Sequence, residues 1–154
     1  WWNSKKTNQK YDIVISERTL INLDSFEEQL SVINKIHDIL SNGGIYIMCE
    51  SSKKGLERIN NERSKFDLDK IKMPWHNNYI DDEKLNSNLD KIHLRLDEIN
   101  HFSSSYYLLS RIINANYAKL LDQEINYNSL INKMAYKLKN VGDFSQTKIW
   151  KWVK

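Results

Sequence analysis

The sequence predicts an α/β fold, on three observations. Two short apolar runs, Tyr11-Asp12-Ile13-Val14-Ile15 and Ile45-Tyr46-Ile47-Met48-Cys49, stop at polar residues, Ser16-Glu17-Arg18 and Glu50. Between them Phe26, Leu30, Ile33, Ile36 and Leu40 recur every three or four residues, the period of one helical face. The order is the third: strand, helix, Gly43-Gly44, strand reads as a right-handed crossover between parallel strands. Such strands are covered on both faces, which accounts for runs that are continuous rather than alternating.

Each element has a local reason. Residues 11–15 read as a short buried strand, because the β-branched run is brief and lacks helical spacing. Ser25 and Glu28 have capping-box spacing, so a helix starts at Phe26, and Gly43-Gly44 is expected to end it. Leu56, Ile59, Arg63 and Phe66 predict a second amphipathic helix, followed by a polar-aromatic loop over residues 73–79. Residues 81–89 suit a short helix. Ile92, Leu94 and Leu96 alternate with His93, Arg95 and Asp97, predicting a third strand. Helical spacing returns over residues 106–121 and again at Leu130, Met134 and Leu138; Gly142-Asp143 then turns the chain into a last strand over residues 147–153, rich in β-branched and aromatic residues.

Composition limits the function classes. The 154 residues suffice for one domain and its core. The net charge is +3, but Lys, Asn and Ile each occur 18 times, the trio that A/T-rich codons favour, so the lysines argue only weakly for nucleic acid. Trp150, Trp152, Lys148, Lys151 and Lys154 fit a closing strand better than a nucleic-acid surface. No apolar run approaches the roughly 20 residues needed to cross a bilayer, and no signal pattern opens the chain, so the expected location is cytoplasmic, without a membrane or nucleic-acid partner. The single Cys49, within a strand, excludes an internal disulfide and reads as an inert core thiol. His37 sits beside a helical stripe, and His93 and His101 lack a supporting acid pattern, so no metal is expected. The chain begins Trp1-Trp2 without Met, and the expectation is that it is processed or that its true beginning is missing.

Tyr11 to Arg18, together with Leu40-Ser41-Asn42-Gly43-Gly44-Ile45-Tyr46-Ile47-Met48, resembles the fourth and fifth strands of class I S-adenosylmethionine-dependent methyltransferases. Asn42 stands where that family commonly has proline. The Ser16-Glu17-Arg18-Thr19-Leu20-Ile21-Asn22-Leu23 stretch, the Pro74-Trp75-His76-Asn77 loop and Ser105-Tyr106-Tyr107-Leu108-Leu109-Ser110-Arg111 are similar to a bacterial subgroup of that superfamily. The resemblance implies a single partial methyltransferase domain over residues 1–154. Its sheet would be Rossmann-like, holding strands four to seven with the last antiparallel, and residues 103–142 would form a helical insertion or lid. The implied cofactor is S-adenosylmethionine. Its Gly-rich turn and ribose-binding acid would lie upstream of residue 1, and no glycine cluster here replaces them, since Gly43-Gly44 precedes a strand rather than a helix.

In α/β sheets ligands sit beyond the carboxyl ends of the strands. Methyl transfer needs an acceptor held in line with the methyl, and a base where a proton must leave. The resemblance places Ser16 and Glu17 beside the cofactor, with Glu17 orienting or deprotonating the acceptor; the alternative is that Glu17 and Arg18 are a solvated loop pair. Arg18 and Glu50 are candidate substrate contacts, and Glu50 equally suits the dipole of the next helix. His76 is the candidate proton-transfer residue, with Asn77 to orient it, although a lone loop histidine is commonly just exposed. Tyr107 and Arg111, four apart, share a helical face from which the guanidinium could grip an anionic substrate, or lie over the ring instead. Sugar, amine and carboxylate acceptors all suit this set. Two competing readings are a non-catalytic half-domain that partners another chain and an inactive fragment. Under all three readings, strand 11–15 becomes an open edge prone to self-association.

Overall fold

The computed structural model describes residues 9–154. Four strands, β1 (Tyr11–Glu17), β2 (Leu40–Ser51), β3 (Arg95–Asn100) and β4 (Thr147–Val153), form one sheet in the order β1-β2-β4-β3. The strands β1 and β2 are parallel, with Ile13 opposite Ile45 and Glu17 opposite Cys49. The strand β4 runs antiparallel to both of its neighbours.

The crossover from β1 to β2 passes through a short 3₁₀ turn, Leu20–Asn22, and α1 (Phe26–Ile39). The expected cap is present: Ser25 Oγ accepts from the Glu28 amide at 3.1 Å, and the Glu28 carboxylate accepts from the Asp24 amide at 3.0 Å. The next helix, α2 (Lys53–Ser64), is capped by Ser52 Oγ, which accepts from the Gly55 amide at 2.8 Å. Asp81 does the same for α3 (Asp82–Ser87). The helix expected over 106–121 runs instead as α4 (Ser104–Tyr107), a π-helical stretch over Leu108–Ile113, and α5 (Asn114–Leu120); α6 (Leu130–Ala135) follows.

Three expectations are corrected. Gly43-Gly44 does not end α1. The helix stops at Ile39 and β2 begins at Leu40, so the glycines lie inside the strand. Their freedom is used for an irregularity: Leu40 pairs with Tyr11 and Ile45 with Ile13, so four residues of β2 oppose one of β1, and Gly43 takes φ +75° to make that excursion. The third strand begins at Arg95, because Ile92 and Leu94 are spent in the core ahead of it. The strand β1 is not buried: it is an edge whose Ile13 and Ile15 are 59% and 68% exposed.

The core lies under the middle of the sheet. Tyr46 and Met48 of β2 and Trp150 and Trp152 of β4 pack with Ile33 and Ile36 of α1 and with Leu20, Ile80 and Leu85. In β4, Lys148, Trp150 and Trp152 are buried while the residues between them are half-buried, so the two faces are covered unequally. Lys148 Nζ reaches Asp82 Oδ1 at 2.7 Å in a buried ion pair, and Asp82 Oδ2 accepts from Ser52 Oγ at 2.6 Å and from the Lys54 amide at 3.2 Å. This network fastens α2 and α3 to the sheet. Gly55 is needed where α2 starts, because a Cβ there would overlap the Ser145 carbonyl oxygen.

Candidate active site

At the end of β1 the chain leaves the sheet abruptly. The Arg18 amide still donates to the Cys49 carbonyl at 2.9 Å, but Arg18 itself has φ +49°, a left-handed turn that a non-glycine residue adopts only when held there. The holding group is Glu50. Its side chain is fully buried, and Oε1 accepts from the amides of Thr19 and Leu20 at 2.9 and 3.0 Å, while Oε2 accepts from Ile21 at 3.4 Å. Ser16 Oγ adds a longer contact at 3.5 Å and shares a 2.7 Å bond with the Tyr46 hydroxyl. Burial pushes the Glu50 carboxyl above the usual carboxylate range, against the pull of the Leu20, Thr19 and Ile21 amides, which favour the charged form. The carboxylate therefore serves the N-terminus of the 3₁₀ turn behind it rather than α2 ahead of it.

Turning the chain at Arg18 opens a cleft of about 470 Å³ beyond the carboxyl ends of β1 and β2. Glu17, Arg18 and Cys49 form one wall; Phe102, Ser103, Tyr106, Tyr107 and Thr147 form the second, and Ala135, Tyr136, Leu138 and Asn140 the third. The aromatic wall is fixed by Ser103-Ser104-Ser105. Ser103 Oγ donates to the Thr147 carbonyl at 3.0 Å, Ser104 Oγ to that of Val141 at 2.6 Å and Ser105 Oγ to that of Lys139 at 2.6 Å. The hydroxyls of Ser104 and Ser105 accept in turn from the amides of Phe144 and Val141. The Tyr107 hydroxyl meets Thr147 Oγ1 at 3.0 Å. Neither the Glu17 carboxylate nor the Arg18 guanidinium has a hydrogen bond or ion pair among the described residues, and they are not paired with each other.

The structure thus brings together three of the expected site residues, Glu17, Arg18 and Tyr107, with Ser16 directly behind them. Glu50 is sealed beneath the turn. His76 is exposed, its ring edge-on to Trp75 at 5.5 Å, and Asn77 is buried with its amide donating to the Pro74 carbonyl at 3.0 Å. Their loop docks on the same end of the sheet through Asn78, whose amide donates to the Ile21 carbonyl at 2.7 Å, but neither residue lines the cleft. Arg111 lies over the Tyr127 ring at 4.4 Å and the Tyr107 ring at 6.0 Å, and its carbonyl accepts from Arg63 Nη1. Cys49 is a correction of another kind. It is half-buried at the cleft wall rather than in the core, and burial, then Glu17 and Glu50, push its thiol up, away from the reactive thiolate. Phe102, Tyr106 and Tyr136 were legible only as residues of helical or loop segments. The Ser103-Ser104-Ser105 run was the one signal that could have shown where they are anchored.

The glycines bear on the implied cofactor. Gly43 and Gly44 lie inside β2, Gly55 in α2 and Gly142 in the turn before β4, so the described residues contain no glycine-rich strand-to-helix turn of the kind that cradles S-adenosylmethionine. They do not fit the cofactor's cradle. Among the described residues no three His, Cys, Asp or Glu side chains converge to hold a metal ion, and no helix is long and apolar enough to cross a membrane.

No family model matches the chain, and no curated protein matches it. Solved structures do. A mycolic acid cyclopropane synthase, CmaA1, complexed with SAH and CTAB aligns with a TM-score of 0.50 at 10% identity over 97% of this chain and 57% of its own. PKMT2 from Rickettsia typhi in complex with AdoHcy aligns with a TM-score of 0.44 at 14% identity over 98% of this chain and 36% of its own. The chain therefore spans little more than half the length of the first and about a third of the second. With its open four-stranded mixed sheet, the chain has an α/β fold similar to methyltransferase folds.

Proposed function

We propose that this chain is the acceptor side of an S-adenosylmethionine-dependent methyltransferase that acts on a small molecule, with β1, β2, β3 and β4 in the places of that sheet's fourth to seventh strands. One observation carries the reading. The order β1-β2-β4-β3 opens a cleft at the carboxyl ends of the parallel pair, and the cleft presents an unpartnered carboxylate, Glu17, at the end of β1. Glu17 orients the acceptor and takes its proton, a role that general-base catalysis makes worth about 10²–10⁴-fold. Arg18 and Tyr107 hold the rest of the substrate, Ser16 and Glu17 border the cofactor, and Glu50 keeps the turn in shape. His76, Asn77 and Arg111 take no direct part, since none lines the cleft.

The test is calorimetry and turnover with the polypeptide encoded by the whole reading frame that contains this sequence. Micromolar, one-to-one binding of S-adenosylhomocysteine is expected, with turnover lowered about 100-fold in Glu17→Gln and less than threefold in His76→Ala. Absence of binding overturns the reading, and an unchanged Glu17→Gln moves the base elsewhere.

A second reading, a non-catalytic half that pairs with another chain or another copy, is favoured by the bare Ile13 and Ile15 on the open edge of β1. It expects a larger mass than one chain by light scattering. A monodisperse monomer removes pairing with another copy, and the absence of a co-purifying partner removes pairing with another chain.

A further inference from the structure

We propose that the helical segment over residues 104–141 carries a docking face for an anionic lipid surface, on which the protein lies without spanning it. The face is built inside out. In α5 the buried residues are small or polar, Asn114, Ala115 and Ala118, while Ile113, Tyr117, Leu120 and Leu121 are exposed, Leu120 by 74%. In α6 the buried residues are Asn132 and Ala135, and Leu130 and Met134 are exposed, Leu130 by 72%. Hydrogen bonds hold the polar side inward. Asn114 Nδ2 donates to the Asn126 carbonyl at 3.0 Å, Ser129 Oγ to Asn114 Oδ1 at 2.9 Å and Asn132 Nδ2 to the Tyr127 carbonyl at 2.8 Å. The π-helical stretch over Leu108–Ile113 supplies the reason. An i→i+5 turn takes up one residue more than the α-helix, about 100° of rotation, so an apolar stripe that began inward emerges facing out.

Charge selects the occupant. From Ile125 to Gly142 the chain has no acidic residue and three lysines, Lys133, Lys137 and Lys139. All three are exposed, and among the described residues none of their ammonium groups has a hydrogen bond or ion pair. Leu130, Lys133, Met134 and Lys137 are three or four apart, so they share one side of α6 and the turn that follows it. Lys137 and Lys139 also flank an apolar groove of about 540 Å³, walled by Leu108, Leu109, Leu138 and Val141. Its one hydroxyl, that of Ser105, is already bonded to the Lys139 carbonyl and the Val141 amide. Large apolar side chains interleaved with unpaired lysines match a surface that is apolar within and anionic at its rim, which is the headgroup region of an acidic bilayer. A second copy fits less well, since an isologous pair sets the lysines of one face against those of the other. The expectation of no membrane partner rested on the lack of a spanning run, which a protein lying on the surface does not need.

The experiment is flotation of the same whole-frame polypeptide with vesicles of phosphatidylcholine, alone or with about one-third phosphatidylglycerol. Saturable binding to the acidic vesicles is expected, at least about 10-fold tighter than to the neutral ones and largely lost at about 1 M salt, where the screening length falls to about 3 Å. Lys133→Gln, Lys137→Gln and Lys139→Gln together should weaken it about 100-fold. The control triple Lys35→Gln, Lys70→Gln and Lys91→Gln, also exposed, should weaken it less than about threefold. Leu120→Ser with Leu130→Ser should weaken it about 10-fold, and because both side chains are mostly exposed the thermal midpoint should not move. No binding to acidic vesicles overturns the proposal, as does equal binding to neutral ones. Equal losses in the two lysine triples also overturn it, since net charge alone would then be acting. A larger mass in solution that Leu120→Ser with Leu130→Ser abolishes puts a second copy on the face and overturns it too. The flotation needs no cofactor, so its failure leaves the methyltransferase reading standing, and absence of S-adenosylhomocysteine binding leaves this face standing.

Discussion

Strands β1 and β4 are similar in composition and opposite in fate. Both are seven residues long and rich in β-branched and aromatic side chains, yet Trp150 and Trp152 are sealed while Ile13 and Ile15 lie bare. The difference is the number of neighbours. The strand β4 sits between β2 and β3, whereas β1 has β2 on one side and nothing described on the other. Burial of a strand is a property of its place in the sheet, and the same run of residues reads as core or as adhesive edge according to what lies beside it.

The comparison breaks first at its centre. Trp150→Ala should cost about 3–5 kcal/mol, because the indole is fully buried against Met48 and the α1 stripe and the hole cannot collapse. Chemical denaturation read by far-UV circular dichroism would show it as a large drop in midpoint. A loss below about 1 kcal/mol would mean that the centre of the sheet is as loosely packed as its edge. Next comes Lys148→Met, which strips the buried Asp82 carboxylate of its cation and should cost about 3 kcal/mol. The double variant Lys148→Met with Asp82→Asn should recover part of that loss, since no buried charge is then left alone.

The edge sharpens the contrast from the other side. Replacing Ile13 and Ile15 together by Lys should change the unfolding free energy by no more than about 0.5 kcal/mol, because both side chains are mostly exposed. It should also lower the mass seen by light scattering if β1 is the adhesive edge. A strongly destabilised double variant would show that β1 is covered in solution by something its neighbours in the sheet do not reveal.

What was legible in the sequence followed local rules. The Ser25 cap, the parallel β1–β2 pair and the aromatic closing strand each depend on residues close together or on a simple period, and all three are in the structure. What was not legible depends on partners far along the chain. Nothing near Glu50 says that it will take the amides of Thr19, Leu20 and Ile21, some 30 residues earlier. Gly43-Gly44 resembles a helix stop because that is a common use of glycine; here Leu40 had already left the helix, and the pair serves a mismatch in the β1–β2 register. For the candidate site, the carboxyl-end rule found Glu17 and Arg18. Two walls of the cleft come from residues 102–107 and 135–140, brought there by three serines bonding to the backbone 37, 34 and 44 positions away. No period or motif encodes such bonds.

At the opposite edge of the sheet from β1 lies His101, just past β3, and it gives the smallest and most specific test. Its Nδ1 is buried without a hydrogen-bond partner, and burial, followed by the nearby Lys148 charge, holds the imidazole below its ordinary value of 6.5, with Asp143 and Asp82 opposing and Arg58 reinforcing. The folded chain therefore keeps His101 neutral in a range where the unfolded chain binds a proton. The sign follows directly: below about pH 6.5 the unfolded state takes up more protons, so this residue's contribution to stability falls as the pH falls. The wild type should lose stability between pH 7.5 and 5.5 more steeply than His101→Gln, with the two curves running parallel above pH 7. Thermal melts of both proteins across that range would show the difference in slope. Parallel curves throughout would place His101 in solvent, and a steeper variant would reverse the sign and require the imidazolium to be paired with Asp143 in the folded chain.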